Sequence, residues 1–379
     1  MPAVSPQCVA GRPQAGAPFS GSYAPEDVTF LLRPVPLEAV GPGPADTADK
    51  ERQIQTGRRH YSEMIVPEAV PGPAYMAVFE AALARYTPRM AAECAALVGA
   101  LAAAVAGPIT LASLVRAGVP LGVLLARGLR ALGRDTWHAG ISIIRDRGLD
   151  GAALDHLLAR RPSGGLVFVD GWTGKGAIAD ELEADLARRW PAVAPRLAVL
   201  ADPCGRAWLS ASHEDWLIPS GILGGNVSGL VSRSILNDRV VGPGQFHATV
   251  VMAHLAPHDA TRGFVDTVWD AMAPLLVEAR PARVRPERRA AVRAEAKAAI
   301  DAVAARFAIR NRNRIKPGIA EATRAVLRRA PERVLVSDPD DPDLAGLMTL
   351  ARDRGVTVDV AEGQVAPYRC ITLIRGMQD

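Results

Sequence analysis

The sequence predicts an α/β fold with a parallel sheet that carries helices on both faces, followed by a small C-terminal α/β domain. From about residue 75 onward, short apolar segments alternate with segments of helical spacing, which is typical of strands buried on both sides. An arginine-rich stretch at 280–314 then separates this pattern from a compact α/β pattern in the last 65 residues. With 379 residues, of which 49% are hydrophobic and 22% charged, the chain can bury two cores, which excludes wholesale disorder and fibrous repeats.

The composition divides the chain into four segments. Residues 1–20 are rich in proline, glycine and alanine, and we expect them to form a disordered tail. Residues 21–285 form the first predicted domain, 286–314 a basic linker helix, and 315–379 the small domain.

The individual elements follow from the apolar periodicity. In the first domain, a short strand or helical turn at 27–33 precedes strands at 109–115, 139–144, 165–169 and 196–201 and helices at 75–106, 119–132, 151–160 and 176–188. The linker and the small domain are predicted to hold helices at 287–307, 317–329 and 341–353 and strands at 333–337, 356–360 and 370–375.

One apolar stretch is long enough to cross a bilayer, since residues 94–115 carry no charge over 22 positions. Alanine and glycine dominate it, and Gly107-Pro108 interrupts it near the middle. We therefore expect a buried helix followed by a buried strand, and no membrane partner.

The cysteines indicate the redox compartment of the protein, and the net charge limits the kinds of partner it can bind. Cys8, Cys94, Cys204 and Cys370 are scattered without a CxxC pair, and a chain of this size needs no disulfide framework, so reduced thiols in the cytoplasm are expected. The formal net charge of +4 is too balanced for a protein covered by nucleic acid, so any basic surface must be local. Only four of the 44 basic residues are lysines, which makes each lysine worth examining.

The strongest local signal is the glycine-rich turn at 171–176, between a buried strand and a helix. Such a turn exposes backbone N–H groups at a helix N-terminus, where an anion is favoured. Lys175 adds a positive charge, Thr173 a hydroxyl, and Asp170 ends the strand at the edge where α/β sheets bind ligands. The spacing fits neither a P-loop nor the dinucleotide pattern GxGxxG. A tight turn with a solvated lysine is the structural alternative.

A second turn, at 113–122, again runs from strand to helix. Arg116 is the first charge after the uncharged stretch, and a guanidinium at this point can bind phosphate in a fork. A plain strand end with a solvated arginine is the alternative.

These two turns resemble the phosphoribosyl-diphosphate (PRPP) loop and the pyrophosphate loop of type I phosphoribosyltransferases. Most of residues 18–275 resembles a bacterial phosphoribosyltransferase-like family of tellurite-resistance and stress-response operons, some members of which are labelled cysteine protease StiP. The matching motifs are Val167-Phe-Val-Asp-Gly-Trp-Thr-Gly-Lys-Gly176, Arg116-Ala-Gly118, Phe19-Ser-Gly-Ser-Tyr23, Gly57-Arg-Arg-His-Tyr-Ser-Glu-Met64 and Val227-Ser-Gly-Leu-Val-Ser-Arg233.

The resemblance implies a type I phosphoribosyltransferase-like fold and assigns roles by position. Asp170 would act near the ribose hydroxyls as the catalytic carboxylate. The phosphates of PRPP, with Mg²⁺, would be bound by Thr173, Gly174, Lys175, Gly176, Arg116, Ala117 and Gly118. The implied reaction transfers a ribosyl phosphate to or from a base-like acceptor. Gly171 stands where the family has a second acidic residue, which weakens the expected grip on ribose or metal.

A glycine-rich segment further on supplies candidates for a loop over the substrate, although a hairpin fits equally well. Asp202, Asp215, Asn226, Ser228 and Arg233 are its polar residues or lie near it, and the acids among them are candidates to replace the missing carboxylate. His138, His247 and the basic run at 58–60 are expected to be structural or solvated instead.

A cysteine protease is an alternative function. A cysteine nucleophile needs a histidine partner. Cys204, with His213 nine residues further on, is the one plausible nucleophile, since Cys94 lies in a predicted buried helix. No family-specific cysteine-protease motif surrounds either cysteine.

The C-terminal part is similar to a Pelota-type RNA-binding domain of the L7Ae-like fold, through Ile315-Lys-Pro-Gly-Ile-Ala-Glu-Ala-Thr-Arg324. Four basic residues and one glycine in or near this motif are candidates for phosphate and base contacts with RNA: Arg310, Arg312, Arg314, Lys316 and Gly318. A non-catalytic RNA-binding regulator that senses a phosphorylated nucleoside is therefore a further alternative, and a solvated linker helix is the structural one.

Overall fold

The computed structural model describes residues 19–278, 281–282 and 286–376. Its architecture confirms the predicted α/β class, with a parallel central sheet, flanking helices and a small second sheet near the C-terminus. Residues 1–18 of the predicted tail, including Cys8, lie outside the described residues, whereas Phe19 already pairs with Phe30.

The strands, in chain order, are β1 (Thr29–Phe30), β2 (Arg33–Pro34), β3 (Ile109–Leu114), β4 (Thr136–Ile141), β5 (Ile143–Ile144), β6 (Gly148–Leu149), β7 (Leu166–Val169), β8 (Leu197–Ala201), β9 (Leu209–Ser212), β10 (Ala248–Thr249), β11 (Ile315–Pro317), β12 (Pro331–Val336), β13 (Thr357–Val360) and β14 (Cys370–Ile374). The α-helices are α1 (Leu37–Val40), α2 (Thr47–Gln55), α3 (Pro73–Ala104), α4 (Gly118–Ala131), α5 (Gly151–Leu158), α6 (Ala177–Arg189), α7 (Pro219–Ile222), α8 (Thr261–Met272), α9 (Pro286–Arg306), α10 (Ile319–Arg328) and α11 (Ala345–Asp353).

The central sheet has six strands in the order β1-β4-β3-β7-β8-β9, and every neighbouring pair is parallel. Helices α3, α4 and α8 pack on one face, and α5 and α6 pack on the other. β3 and β7 are buried along their whole length because they lie in the middle of this sandwich. Their carboxyl ends therefore meet at one edge of the sheet, where the two glycine turns begin.

The uncharged stretch 94–115 folds as expected. Its first part lies in α3, whose residues Cys94, Leu97 and Leu101 are buried, and its second part contains the fully buried β3. Among the described residues, no helix is both long enough and apolar enough to cross a membrane.

A second sheet forms the core of the C-terminal domain, which we define as residues 315–376. Its strand order is β11-β14-β12-β13, with β14 antiparallel to both of its neighbours and β12 parallel to β13. α9 packs against this domain and against the first domain, since one apolar cluster contains Cys204, Ala299 of α9 and Tyr368. The predicted linker helix is therefore a packed element, and the boundaries at 285 and 314 stay predictions.

The periodicity located most of the long elements within a few residues but missed α2, α8 and several short strands. The predicted strand at 139–144 is divided into β4 and β5. β9 and β11 have only four and three residues, which is too short for an apolar periodicity to be recognised.

Candidate functional site

A cavity of about 420 Å³ opens at the carboxyl edge of the central sheet. Its walls come from the end of β3, from the turn between β7 and α6, from α2 and from α10 of the C-terminal domain. The site is therefore shared between the two domains.

The glycine turn forms the floor of this cavity. Asp170 ends β7, and its Oδ1 accepts a hydrogen bond of 2.8 Å from the Gly171 N–H. The turn closes at Gly176, whose φ of +90° is a conformation that glycine adopts without strain. Gly118 in the second turn lies so close to β7 that a Cβ there would stand 2.1 Å from the Val169 carbonyl oxygen. The two turns are thus packed against each other.

Basic side chains dominate the lining. Nine of the described lining residues are cationic, against the two carboxylates of Asp170 and Glu321. The nine are Lys50, Arg116, Arg145, Lys175, Arg233, Lys316, Arg324, Arg328 and Arg329.

Arg116 does not hold its guanidinium free for a phosphate. Its Nη1 donates to the Val231 carbonyl oxygen at 2.8 Å, and its Nη2 pairs with Glu68. Glu68 also accepts from Arg328 at 2.8 Å and from the Gly225 N–H at 2.8 Å. Despite partial burial, the two guanidinium groups hold the pKa of Glu68 well below its usual range. The Glu68 carboxylate therefore pairs with the Arg116 guanidinium, which the sequence had predicted to bind a phosphate ligand.

Lys175 is also occupied. Its Nζ donates to the Arg312 carbonyl oxygen at 2.6 Å and lies 3.5 Å from the Ile315 carbonyl oxygen. Burial lowers the pKa of Lys175 to about 8, although the Glu321 carboxylate acts in the opposite direction. Gly174 accepts a hydrogen bond of 3.0 Å from the Tyr368 hydroxyl. The turn residues therefore hold the C-terminal domain in place.

Two cations of the lining have no such partner. Among the described residues, Arg324 and Lys50 make no side-chain hydrogen bond or ion pair, and the Arg324 Nε is shielded from solvent. The Arg324 guanidinium lies 4.5 Å from the centre of the Trp172 ring. Burial lowers the pKa of Arg324 to about 9, and the charges of Arg328 and Arg116 lower it further.

The cavity does not offer the ligand set of a Mg²⁺ site. Hard cations take several oxygen ligands, whereas the described lining supplies two carboxylates, and the Glu321 carboxylate lies 3.4 Å from the Lys316 ammonium. Burial raises the pKa of Asp170 to about 7, so it is half protonated near neutrality. Among the described residues, no group of three or more metal-ligating side chains is present.

A second cluster lies behind the same turn, around Asp202 at the end of β8. Asp202 Oδ1 accepts from the Thr173 hydroxyl at 2.6 Å and from the Arg206 N–H at 2.9 Å, and the Cys204 Sγ lies 3.8 Å away. The His213 Nδ1 lies 3.1 Å from the Asp202 carbonyl oxygen. That contact protonates Nδ1 and leaves Nε2 as the basic nitrogen. Asp202 thus joins the cysteine and the histidine that the sequence had paired.

The Cys204 thiol is covered in this arrangement. Its residue is 3% exposed, and α9 lies directly over the adjacent Gly205, where a Cβ would stand 2.4 Å from the Arg289 carbonyl oxygen. Burial raises the pKa of the Cys204 thiol far above its usual range, and the Asp202 charge raises it further. The thiol is therefore neutral while α9 stays in place.

The predicted substrate loop is mostly structural. Asn226 and Ser228 bond within their own turn, to the Gly224 N–H at 3.2 Å and to the Gly224 carbonyl oxygen at 2.8 Å. Asp215 accepts from the backbone of the C-terminal domain, at Ile319 N (3.0 Å) and Arg369 N (2.9 Å). Only Arg233 among these residues lines the cavity. The apolar context of this segment had concealed that Asn226 Oδ1 and the Ser228 hydroxyl bond to the neighbouring backbone, although the Asn226 Nδ2 is buried without a partner among the described residues.

The RNA candidates divide in the same way. Arg310 and Arg312 are exposed, although Arg312 pairs with Asp301 at 3.0 Å. Arg314 pairs with Glu332 at 3.0 Å, Lys316 is buried in the cavity wall, and Gly318 lies against Asp215. The exposed basic surface of this segment is therefore smaller than its composition suggested.

The predicted structural histidines are satisfied in the core. His138 contacts the Ser113 hydroxyl and the Asp27 carbonyl oxygen, both at 2.7 Å, and burial lowers its pKa to about 4. His247 contacts the Ser142 hydroxyl at 2.8 Å. The run at 58–60 lies outside the cavity lining.

Lys50, Arg145 and the arginines of α10 were missed as site residues. The spacing of Arg324 and Arg328 on the predicted helix 317–329 was the available signal, because residues four apart share one helix face. Nothing in the sequence placed that face over the first domain.

Most of the chain is similar to known protein families. Residues 21–269 match the model of a family described as tellurite-like stress resistance cysteine protease StiP, and residues 294–376 match the PELOTA RNA binding domain. A curated protein of Acinetobacter baylyi, named cysteine protease StiP, is 44% identical over 367 residues, covering 94% of each chain.

These matches overturn the phosphoribosyltransferase prediction. The family model and the curated relative both carry the description of a cysteine protease. The predicted transferase activity was therefore wrong. The ribosyl phosphate and base partners have no support from these matches, and the roles assigned to Asp170 and the two turns stay predictions. The structure agrees, because Arg116 and Lys175 are already engaged by protein groups.

Proposed function

The chain belongs to the StiP family of tellurite-like stress resistance cysteine proteases, and on that premise we propose that it is a cysteine-dependent peptide hydrolase with Cys204 as the nucleophile. The observation that carries this proposal is the cluster in which Asp202 contacts both Cys204 and His213. All three described cysteines are buried, but Cys94 and Cys370 lie within α3 and β14, whereas Cys204 lies in the loop that follows β8.

In the proposed reaction, the basic Nε2 of His213 takes the proton of the Cys204 thiol. The thiolate then attacks the peptide carbonyl carbon, and the same nitrogen returns the proton to the departing amine. Water hydrolyses the resulting thioester and regenerates the thiol. Asp202 acts as a positioning residue, since it holds the loop that carries Cys204 and fixes the tautomer of His213.

The covered thiol makes this a latent site. A thiolate is the reactive form of cysteine, and an apolar environment suppresses it. We therefore expect hydrolysis to require movement of α9 away from Gly205, and low basal activity in the closed arrangement.

The test is hydrolysis of fluorescein-labelled casein by the full chain. Cys204→Ser is expected to abolish the activity, while the matched Cys94→Ser retains it. Because the closed form is slow, the same pair is made in a Gly205→Ala background that displaces α9. Equal rates for Cys204→Ser and its parent, or no cleavage by either parent, would overturn the proposal.

A second function, RNA binding by the C-terminal region, is favoured by the match of residues 294–376 to the PELOTA RNA binding domain. Arg310 and Arg312 are the exposed basic residues of the predicted set. An electrophoretic shift with a structured RNA tests it: Arg310→Gln with Arg312→Gln should weaken binding and reduce its salt dependence. An unchanged shift would remove these residues from the interface.

The three described cysteines are free. As part of the proposal we place the protein in the cytoplasm, where thiols stay reduced.

A further inference from the structure

We propose that the cavity between the two domains binds a phosphate-bearing anion, held by Arg324 from α10 and Lys50 from α2. This site is distinct from the Cys204 cluster behind the turn and goes beyond both functions proposed above. It also differs from the site expected from the sequence, because neither Lys175 nor Arg116 is available to hold the anion.

Arg324 supplies the first argument. A charged side chain that leaves water is costly unless a counter-charge or hydrogen-bond partners replace the water. Within the described part of the chain, the Arg324 Nε is shielded from solvent and has no hydrogen-bond partner. One face of the guanidinium is covered by the Trp172 ring at 4.5 Å, so its orientation is fixed. An anion in the cavity would supply the missing acceptor.

Lys50 supplies the second argument, from a different helix. Its partly buried ammonium lines the same cavity, and no ion pair is recorded for it among the described residues. Burial lowers the pKa of Lys50 to about 8, and the charges of Arg233 and Arg329 act in the same direction. Cations that repel each other around an open space are stabilised together when one anion occupies it.

The neighbouring cations already have partners within the protein. Glu68 pairs with Arg116 and Arg328, and Glu51 pairs with Arg329. Arg324 and Lys50 are therefore the lining cations that have no hydrogen-bond or ion-pair partner among the described residues. Two cations on separate helices match a dianion whose oxygens point in several directions, as in a phosphate group, and a guanidinium binds such oxygens in a fork.

The size and walls of the cavity limit the rest of the ligand. A volume of about 420 Å³ is within the range of small-ligand sites and admits a mononucleotide-sized group. Trp172 and Tyr61 add aromatic surface to the wall. The same chemistry is offered by a free nucleotide and by the phosphorylated end of an RNA chain, and the experiment distinguishes these sources.

The test is calorimetric titration of the full chain with ADP and, separately, with a short RNA that carries either a 5′-phosphate or a 5′-hydroxyl. The variants are Arg324→Gln and Lys50→Gln, with Arg160→Gln as the matched control, because Arg160 is exposed and outside the cavity lining. Circular dichroism establishes that each variant is folded, and Lys50→Gln on the short helix α2 keeps the test decisive if Arg324→Gln is unstable.

We expect saturable binding of ADP or of the 5′-phosphorylated RNA, with adenosine and the 5′-hydroxyl RNA at least about tenfold weaker. Each cavity substitution should weaken binding by about tenfold, as for loss of a charge-assisted hydrogen bond, while Arg160→Gln leaves it unchanged. Binding of ADP identifies a free nucleotide as the source, and binding of the RNA alone identifies its phosphorylated end. The site is overturned if neither probe binds, or if both cavity variants bind as tightly as the wild type.

Discussion

The two sides of the glycine turn at 171–176 differ in how far the protein itself satisfies their charges. Behind the turn, the Asp202 carboxylate accepts hydrogen bonds from Thr173, Arg206 and Ala207, and Cys204 is covered by α9. In front of it, the cavity holds nine cationic residues, two of them without a partner among the described residues. The first side is closed over its thiol, whereas the second is an open cavity lined by cations.

The part of the chain from α9 onward produces both conditions. α9 lies over Gly205 and closes the cysteine side, while α10 carries Arg324 and Arg328 to the cavity side. The interface between the domains therefore determines both the reactivity of the thiol and the charge of the cavity.

The largest expected effect is a loss of protein stability when the ion pairs of the cavity wall are removed. Glu68→Gln removes the carboxylate that pairs with Arg116 and Arg328, and Arg116 has a side chain only 4% exposed. Leaving buried guanidinium groups unpaired should lower the free energy of unfolding by about 3 kcal/mol.

Urea denaturation measures this loss, with Glu80→Gln as the control, because Glu80 is an exposed residue of α3. The control should remain within about 0.5 kcal/mol of the wild type. A Glu68→Gln protein as stable as the control would show that Glu68 does not neutralise the cavity wall.

The next effect is on the cysteine side. Gly205 has a φ of +63° and faces the Arg289 carbonyl oxygen of α9. An alanine there costs about 1–2 kcal/mol in backbone conformation and about 1–3 kcal/mol in overpacking, so the open population should rise at least about tenfold.

Alkylation of Cys204 by iodoacetamide, followed by mass spectrometry, reports this opening. Gly107→Ala is the matched control, since Gly107 also has a positive φ of +71° but has nothing within 4 Å of its added Cβ. Equal alkylation rates in the two variants would mean that α9 does not cover the thiol.

A smaller effect is expected on the ionisation of that thiol. The Asp202 charge contributes to the raised pKa of Cys204, so Asp202→Asn should shift the alkylation profile toward lower pH. Asp353→Asn, at an exposed position of α11, should leave the profile in place. An unchanged alkylation profile in Asp202→Asn would show that the Asp202 carboxylate does not raise the pKa of the Cys204 thiol.

A further effect, on the pH dependence of stability, concerns Asp170 in the cavity. Burial raises its pKa to about 7, above an unfolded value of about 4, so the folded state binds this proton more tightly. Its contribution to the free energy of unfolding therefore falls as the pH rises from about 4 to about 7. Asp170→Asn should remove that decline, measured as the difference from the wild type in urea denaturation at each pH. If the difference in free energy of unfolding between Asp170→Asn and the wild type stays constant from about pH 4 to about pH 7, the pKa of Asp170 is not raised in the folded protein.

The sequence was informative where structure is local. The alternation of buried strands and helices located β3, β7 and α10, and the glycine turns lie at the sheet edge as predicted. It could not assign partners, because the Glu68 carboxylate that neutralises Arg116 lies 48 residues away and the carbonyl oxygen that holds Lys175 lies 137 residues away. Cys204 and His213, nine residues apart, both contact Asp202, yet the cover over Cys204 comes from α9, far along the chain. The transferase function predicted from the two glycine turns was wrong for the same reason, because the charged side chains of the turns, Arg116 and Lys175, bind distant groups of the protein itself.

The most direct test of the account is to identify which cysteine of the wild-type chain reacts with a peptidyl electrophile under conditions that support casein hydrolysis. The protein is labelled, digested and mapped by mass spectrometry while the loss of activity is followed in parallel. We expect one adduct, on Cys204, that forms in proportion to the loss of hydrolysis, with Cys94 and Cys370 unlabelled. Inactivation that tracks labelling of another cysteine, Cys8 included, would contradict the assignment of Cys204 as the nucleophile.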